Sequence, residues 1–277
     1  MSHESKQLTI RHETPAIWRV TFNHPPINLV DHDTLQELHD LTSAIEASDE
    51  LKVVVFDSAD PDFFLAHWDI ASVARPRPEG TPAPSWIDIS LRLAHASVVT
   101  IGLIRGRARG MGSEIPLGFD MRFASIERAI FGQPEVGVGL VPGGGSMERL
   151  SLLAGRARAL EIVLGADDFD ALTAERYGWI NRALPDAQLD AFVTNLAQRL
   201  AAFDKLALGA AKQTVNRRAL PDAEDLKASQ ALFYRAFTWP GTPARVKALM
   251  ARGIGTRGDL EMRFGAHLPS LAAHTKT

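Results

Sequence analysis

The chain has 277 residues, 45% of them hydrophobic and 23% charged, the balance of an ordinary globular protein rather than a disordered one. Thirty basic against thirty-three acidic side chains give a net charge of −3, so no overall field draws the chain to nucleic acid or to an anionic membrane. The absence of cysteine excludes disulfides, thiolate nucleophiles and cysteine-ligated metals. The start, MSHESKQLTIRHE, is polar and lacks the apolar run of a signal peptide. The most apolar stretch, Ser97 to Ile104, is far too short to span a bilayer. A cytoplasmic protein is the expectation.

Residues 7–23 predict two short strands around a turn at Glu13-Thr14-Pro15. His24-Pro25-Pro26 breaks that pattern. Leu35, Leu38, Leu41 and Ile45 then give an amphipathic helix over 32–47. Val53 to Phe56 is a short apolar run typical of a strand buried on both faces. A loop is expected over 57–63, and an irregular segment over the proline-rich stretch 75–84. A helix follows over 86–96, then a second buried strand over 98–104. Gly106, Gly110 and Gly112 mark a tight loop before a short buried helix over 113–118. Strands are expected over 120–124 and 129–131, and a helix over 146–153 after Gly143-Gly144-Gly145. Strands alternating with helices through residue 185 indicate an α/β fold of ββα or βαβ units. Beyond Asp186 the strand signals stop, and 187–203, 222–237 and 243–252 are helical in pattern.

Several common motifs are absent: GxxxxGK[ST], GxSxG and HExxH. Gly137-Val138-Gly139 fails as a dinucleotide fingerprint because Pro142 stands where the third glycine belongs. His24, Asp31, His32, Asp33 and His39 cluster around a helix start, where Asp31 or Asp33 serves as an N-cap; no metal site is expected. Arg105, Arg107 and Arg109 alternate and would share one face of an extended segment, either solvated or touching an anion such as a ligand phosphate.

Two loops carry more chemistry. One is Phe63 to Ile70. The other is Gly106 to Glu114, directly after the second buried strand, where ligands of open parallel sheets sit. Its glycines let the backbone approach a ligand closely, and free N–H groups at the helix start suit a developing oxyanion. Pro116 is acceptable there only within a first helical turn. Glu114, at the start of an apolar helix, and Glu135, after a strand end, are the carboxylates to watch. A carboxylate at an apolar site is paired, hydrogen-bonded or functional.

These residues resemble the crotonase (enoyl-CoA hydratase/isomerase) superfamily over roughly residues 7–200. The markers are Pro26-Ile27-Asn28, Ala66-x-x-Asp69-Ile70, Gly106-x-Ala108-x-Gly110-x-Gly112-x-Glu114, Asp120, Phe131-Gly132-Gln133-Pro134-Glu135 and Gly139-Leu140-Val141-Pro142-Gly143-Gly144. The resemblance implies a crotonase-like ββα spiral core over 1–200 that binds acyl-CoA thioesters. A C-terminal helical section, 201–277, would build a homotrimer or a dimer of trimers. By position, the backbone N–H groups of Trp68 and Met111 would polarise the thioester carbonyl. Ile27, Ala66, Trp68, Asp69, Ile70, Ala71, Met111 and Gly112 would border the substrate and its CoA. Glu114 and Glu135 would be the catalytic pair, Glu135 as principal acid/base and Glu114 positioning water. Coenzyme A is part of the substrate, so no separate cofactor is implied.

The implied activity is addition of water across the 2,3 double bond of an enoyl-CoA. The alternatives are double-bond isomerisation or other thioester chemistry of the superfamily, and a non-catalytic trimeric scaffold. The chain also departs from the family. His67 and Trp68 stand where glycine and a small residue are usual, with His67 expected to face outward and the indole to fill part of the acyl pocket. Met111 replaces a common glycine, Ala71 replaces a common basic residue, and the tail from Arg252 lacks the usual ending.

Overall fold

A computed structural model describes residues 7–74 and 84–271. The chain starts with the hairpin of β1 (Leu8–Thr14) and β2 (Ile17–Phe22), continues into α1 (His32–Ala47), and then lays down β3 (Val53–Ser58) and β4 (Phe63–Leu65). Asp31 caps α1, accepting from the backbone N–H groups of Asp33 and Thr34. After α2 (Trp86–His95) come β5 (Val99–Ile104), β6 (Arg107–Arg109) and α3 (Met111–Leu117). A third turn supplies β7 (Met121–Ser125), β8 (Ile130–Gly132), α4 (Ser146–Ala154) and α5 (Arg156–Gly165). Then follow β9 (Asp168–Asp170), α6 (Ala171–Tyr177), β10 (Arg182–Leu184) and α7 (Asp186–Ala201). The remaining helices are α8 (Lys205–Ala219), α9 (Ala223–Ala236), α10 (Thr242–Ala251), α11 (Asp259–Met262) and α12 (Phe264–Leu271).

Two sheets organise these elements. The larger has the order β1-β2-β3-β5-β7-β10, parallel except for the β1–β2 hairpin. The smaller has the order β4-β6-β8-β9, parallel from β4 to β8. Each of β3, β5 and β7 in the large sheet is followed by its partner β4, β6 or β8 in the small one. The chain therefore winds through successive ββα turns. Side chains alternate across the large sheet. Val53, Val55, Ile101 and Leu103 pack under Leu189 and Val193 of α7, whereas Val54 and Phe56 face α1 and α2. Both faces are covered, which is why the parallel strands read as continuous apolar runs.

The structure corrects the sequence reading in places. The expected loop over 57–63 is present but shorter, 59–62, because its first two residues end β3 and its last begins β4. The expected short helix begins at Met111 rather than Ser113, so Pro116 lies inside it and not in its first turn. The helix ends one residue later, so no long run of ladder bonds is broken. The short strands β6, β9 and β10 and the helices α5, α6, α8, α11 and α12 were not foreseen. The proline-rich stretch lies, up to Ala83, outside the described residues. No helix among the described residues is long and apolar enough to cross a membrane.

Candidate active site

Strands β4 and β6 run parallel as neighbours, so the segments leaving their carboxyl ends emerge side by side. After β4, Ala66 donates its N–H to the Asn28 carbonyl at 2.9 Å. The His67 carbonyl then accepts from Val30 N–H at 2.9 Å, and Asp69 N–H returns to the Val30 carbonyl at 2.8 Å. A trans peptide is planar with C=O and N–H opposed. The Trp68 N–H, sharing its peptide with the His67 carbonyl, therefore points away from Val30. Asn28 braces this segment from below: it is buried, and its side-chain amide donates to Ser58 Oγ at 2.8 Å and to the Phe63 and Phe64 carbonyls at 3.3 Å.

Behind β6, Gly110 turns the chain with φ of 50° and Met111 opens α3. The first residues of a helix have no intrahelical partner for their N–H groups. A Cβ on Gly112 would sit 2.1 Å from the Leu65 carbonyl oxygen, so only glycine lets α3 begin against the end of β4. That contact brings the Met111 amide beside the Trp68 segment. Neither N–H has a hydrogen-bond partner among the described residues.

Glu114 and Glu135 border the same cavity as Trp68 and Met111. Its volume is about 40 Å³, enough for water but too tight for an acyl chain without some opening. Glu114 is buried, and its Oε1 accepts from Gly144 N–H at 2.8 Å, Ser146 N–H at 3.2 Å and Ser146 Oγ at 2.9 Å. Glu135 opens a 3₁₀ turn, Glu135–Val138, and is 8% exposed. Its Oε2 has no partner among the described residues. A Cβ on Gly110 would stand 2.5 Å from Glu135 Oε1, and one on Gly144 2.6 Å from Glu114 Oε2. These two glycines make room for the two acids.

Both acids titrate above the ordinary carboxylate range, for different balances of causes. Burial raises Glu114, opposed by its three donors from Ser146 and Gly144. Burial raises Glu135 well above its usual value, and the nearby Glu114 charge pushes the same way. The unlike surroundings separate the pair, with Glu135 the member that holds its proton more readily.

The other candidate residues divide into wall and foundation. The Trp68 indole lies edge-on to the His32 ring at 5.1 Å and lines this cavity together with a second one of about 40 Å³. Ile70, Pro134, Val138 and Leu140 border that second cavity, mostly with apolar surface. Ile27 and Ala66 pack with Phe63 in a separate cluster beneath the loop. Asp69 accepts the Ala71 N–H at 2.9 Å, and Ala71 is exposed. The alternating arginines each hold partners within the chain, and Arg105 and Arg107 stay partly exposed. Arg105 binds Asp186 and Asp190, Arg107 donates to the Met262 carbonyl, and buried Arg109 grips Asp168 at 2.6 and 2.7 Å.

The family model described as Enoyl-CoA hydratase/isomerase matches residues 12–240. The chain belongs to the enoyl-CoA hydratase/isomerase family. The match runs well past the residues that carry the likeness in sequence, into α9 and the turn after it. A solved structure described as a putative enoyl-CoA hydratase from Streptomyces avermitilis is 40% identical, with a TM-score of 0.90 and full coverage of both chains. The Short-chain-enoyl-CoA hydratase of Clostridium acetobutylicum is 32% identical over 201 residues, 72% of this chain and 77% of its own. The Crotonyl-CoA hydratase of Syntrophomonas wolfei is 30% identical over 196 residues, 69% and 74% of the two chains. The ββα winding described above is thus the fold of this family.

Against the family pattern, His67 is the sharpest surprise. It faces inward and is only 6% exposed, with Nε2 2.9 Å from Glu261 Oε1 and Nδ1 2.8 Å from the Trp68 carbonyl oxygen. Glu261 and the α9 residues Gln230, Phe233 and Tyr234, which also border the first cavity, were not singled out in the sequence. The one local signal for α9 is its helical pattern, which says nothing of which neighbour it covers.

Proposed function

We propose that the protein is an enoyl-CoA hydratase acting on short enoyl thioesters. The observation that carries this reading is the juxtaposition, around one water-sized cavity, of two acids in unlike surroundings and two backbone N–H groups without a protein partner. Attack of water on C3 drives electrons onto the thioester oxygen. The Trp68 and Met111 amides are placed to hold that charge, the kind of contact whose loss costs about 10²–10³ in rate. Glu114, with Oε1 already occupied by three donors, offers Oε2 to take the proton from water. Glu135, kept neutral by burial, delivers its proton to C2. Proton exchange between the pair and solvent then restores the starting state.

The relatives named short-chain enoyl-CoA and crotonyl-CoA hydratase support the same substrate class. So does the small second cavity, lined in part by Ile254 and Phe264 of the chain's own C-terminal segment. Hydration of crotonyl-CoA by the purified protein, followed as loss of the conjugated thioester absorbance, is the direct test; no turnover with any short enoyl-CoA overturns the proposal. Ile254→Ala enlarges this cavity at a partly buried lining position. It is expected to improve the six-carbon substrate relative to the four-carbon one by about tenfold in kcat/KM, the scale of a methylene in an apolar pocket. An unchanged ratio would remove Ile254 from the acyl wall.

Exposed Leu152, Leu153, Leu160 and Leu164 on α4 and α5, with Leu206 and Val215 on α8, support assembly as a homotrimer or a dimer of trimers, with the section from residue 201 contributing. Light scattering of the purified protein measures it.

A further inference from the structure

We propose that His67 and Glu261 form a buried charged pair that positions the Trp68 amide, so that the C-terminal segment is part of the catalytic apparatus. This rests on the function proposed above. The His67 ring stands between two acceptors, the Trp68 carbonyl oxygen at 2.8 Å from Nδ1 and Glu261 Oε1 at 2.9 Å from Nε2. A carbonyl only accepts, so Nδ1 carries hydrogen. An ionised carboxylate only accepts, so Nε2 carries hydrogen too. The ring is then an imidazolium against a carboxylate that is itself fully buried.

The surroundings favour that state. Burial pulls the His67 pKa down, but the charge and hydrogen bond of Glu261, with the Trp68 carbonyl, outweigh it and leave it above the usual histidine value. Burial raises Glu261, and His67 together with the Gly255 N–H at 2.7 Å outweighs it in the opposite direction. Arg109 opposes protonation of the ring, yet its guanidinium is gripped by Asp168 and its Nη1 holds the Glu261 backbone carbonyl at 2.6 Å. Glu135, which shares the second cavity with His67, has its pKa raised well above the usual value by burial and the Glu114 charge, which favours its neutral form beside the ring. Phe264, with ring centroids 5.8 Å apart, covers the ring further.

The consequence falls on Trp68. Val30 pins the peptide before it, and the His67 ring pins the peptide after it. If the ring loses its second proton and keeps only the one on Nε2, a lone pair faces the Trp68 carbonyl and the segment turns. The amide then loses its aim at the reacting oxygen. A glycine at position 67, usual in the family, has no ring to do this.

The test uses the full-length protein. Glu261→Gln still accepts from Gly255 but no longer balances an imidazolium. Its kcat is expected to fall at least tenfold, toward the roughly 10²–10³ of a lost donor, with KM nearly unchanged, because the contact forms most strongly in the transition state. The double variant with His67→Gln is expected to be no slower than the slower single one, since the pair acts as a unit. Bound butyryl-CoA, which cannot be hydrated, gives a readout without turnover: its carbonyl stretch, lowered in the wild type, moves back up in Glu261→Gln. Nitrogen NMR of the wild type is expected to show both His67 nitrogens protonated at neutral pH. A folded Glu261→Gln with full kcat and an unmoved carbonyl stretch overturns the proposal. So does a neutral His67 ring in the wild type, a result that stands even if the variant does not fold. If the wild type binds butyryl-CoA but hydrates nothing, the hydratase reading fails while the carbonyl shift and the ring protonation still decide the pair.

Discussion

Glu135→Gln is expected to lower hydration of a short enoyl-CoA by about 10²–10⁴-fold, the range of a lost general acid, with little change in substrate binding. Glutamine keeps the volume and the contact with Gly110 but has no acidic proton to give C2. The wild-type pH profile carries the same information. Glu135 must be protonated, and burial with the Glu114 charge holds its pKa well above the usual value. Activity therefore declines as pH rises through that raised pKa. Glu114 must be ionised, so activity also declines as pH falls through its own titration; both limbs belong to the pair rather than to either residue alone. A folded pKa above the unfolded one gives stability that is complete below the unfolded value and is lost as pH rises through the folded value. Thermal midpoints measured across that window should fall for the wild type more steeply than for Glu135→Gln, which lacks the ionisation. Equal hydration rates for the two proteins would remove Glu135 from the chemistry.

What the sequence revealed, and what it hid, follows from the range of the interactions. The helix α1 and the strands β3 and β5 were legible because their apolar periodicity is local and both sides of the large sheet are covered. The strand β6 was not: it is three residues long, two of them arginines, and is a strand only because β4 and β8 lie on either side. Arg109 reads as a surface charge until Asp168, fifty-nine positions away, closes on it. The helix α8 escaped because among its residues only Gly209 is buried, which leaves no apolar stripe to count. His67 is the same lesson at the site. Nothing near it in the chain says that it turns inward, since its carboxylate partner is 194 residues away. The two acids were legible as residues to watch, because a carboxylate in an apolar run needs a reason. Their sharing of one cavity came into view only through the likeness to a known family and then through the fold.

Glu114→Gln separates the two chemistries that the same pair of amides can serve. Glutamine's oxygen can still accept from Gly144 and Ser146, so the buried donors keep a partner and the fold is not charged with an unsatisfied site. What disappears is the base that takes the proton from water. Hydration is expected to fall by about 10²–10⁴-fold. Moving a double bond from the 3,4 to the 2,3 position needs no water: one proton leaves C2 and one arrives at C4, and a single acid/base beside the carbonyl suffices. Conversion of a 3-enoyl-CoA, if the wild type carries it out, should therefore survive in Glu114→Gln far better than hydration does. Should the variant hydrate at the wild-type rate, Glu114 holds no proton in the reaction and Glu135 alone carries the hydration. Loss of the Glu114 charge also removes what adds to burial in raising the Glu135 pKa, so Glu135 ionises more readily and is better able to take the C2 proton. The ratio of the two losses, measured on one preparation at one pH, therefore assigns the proton on each side of the double bond.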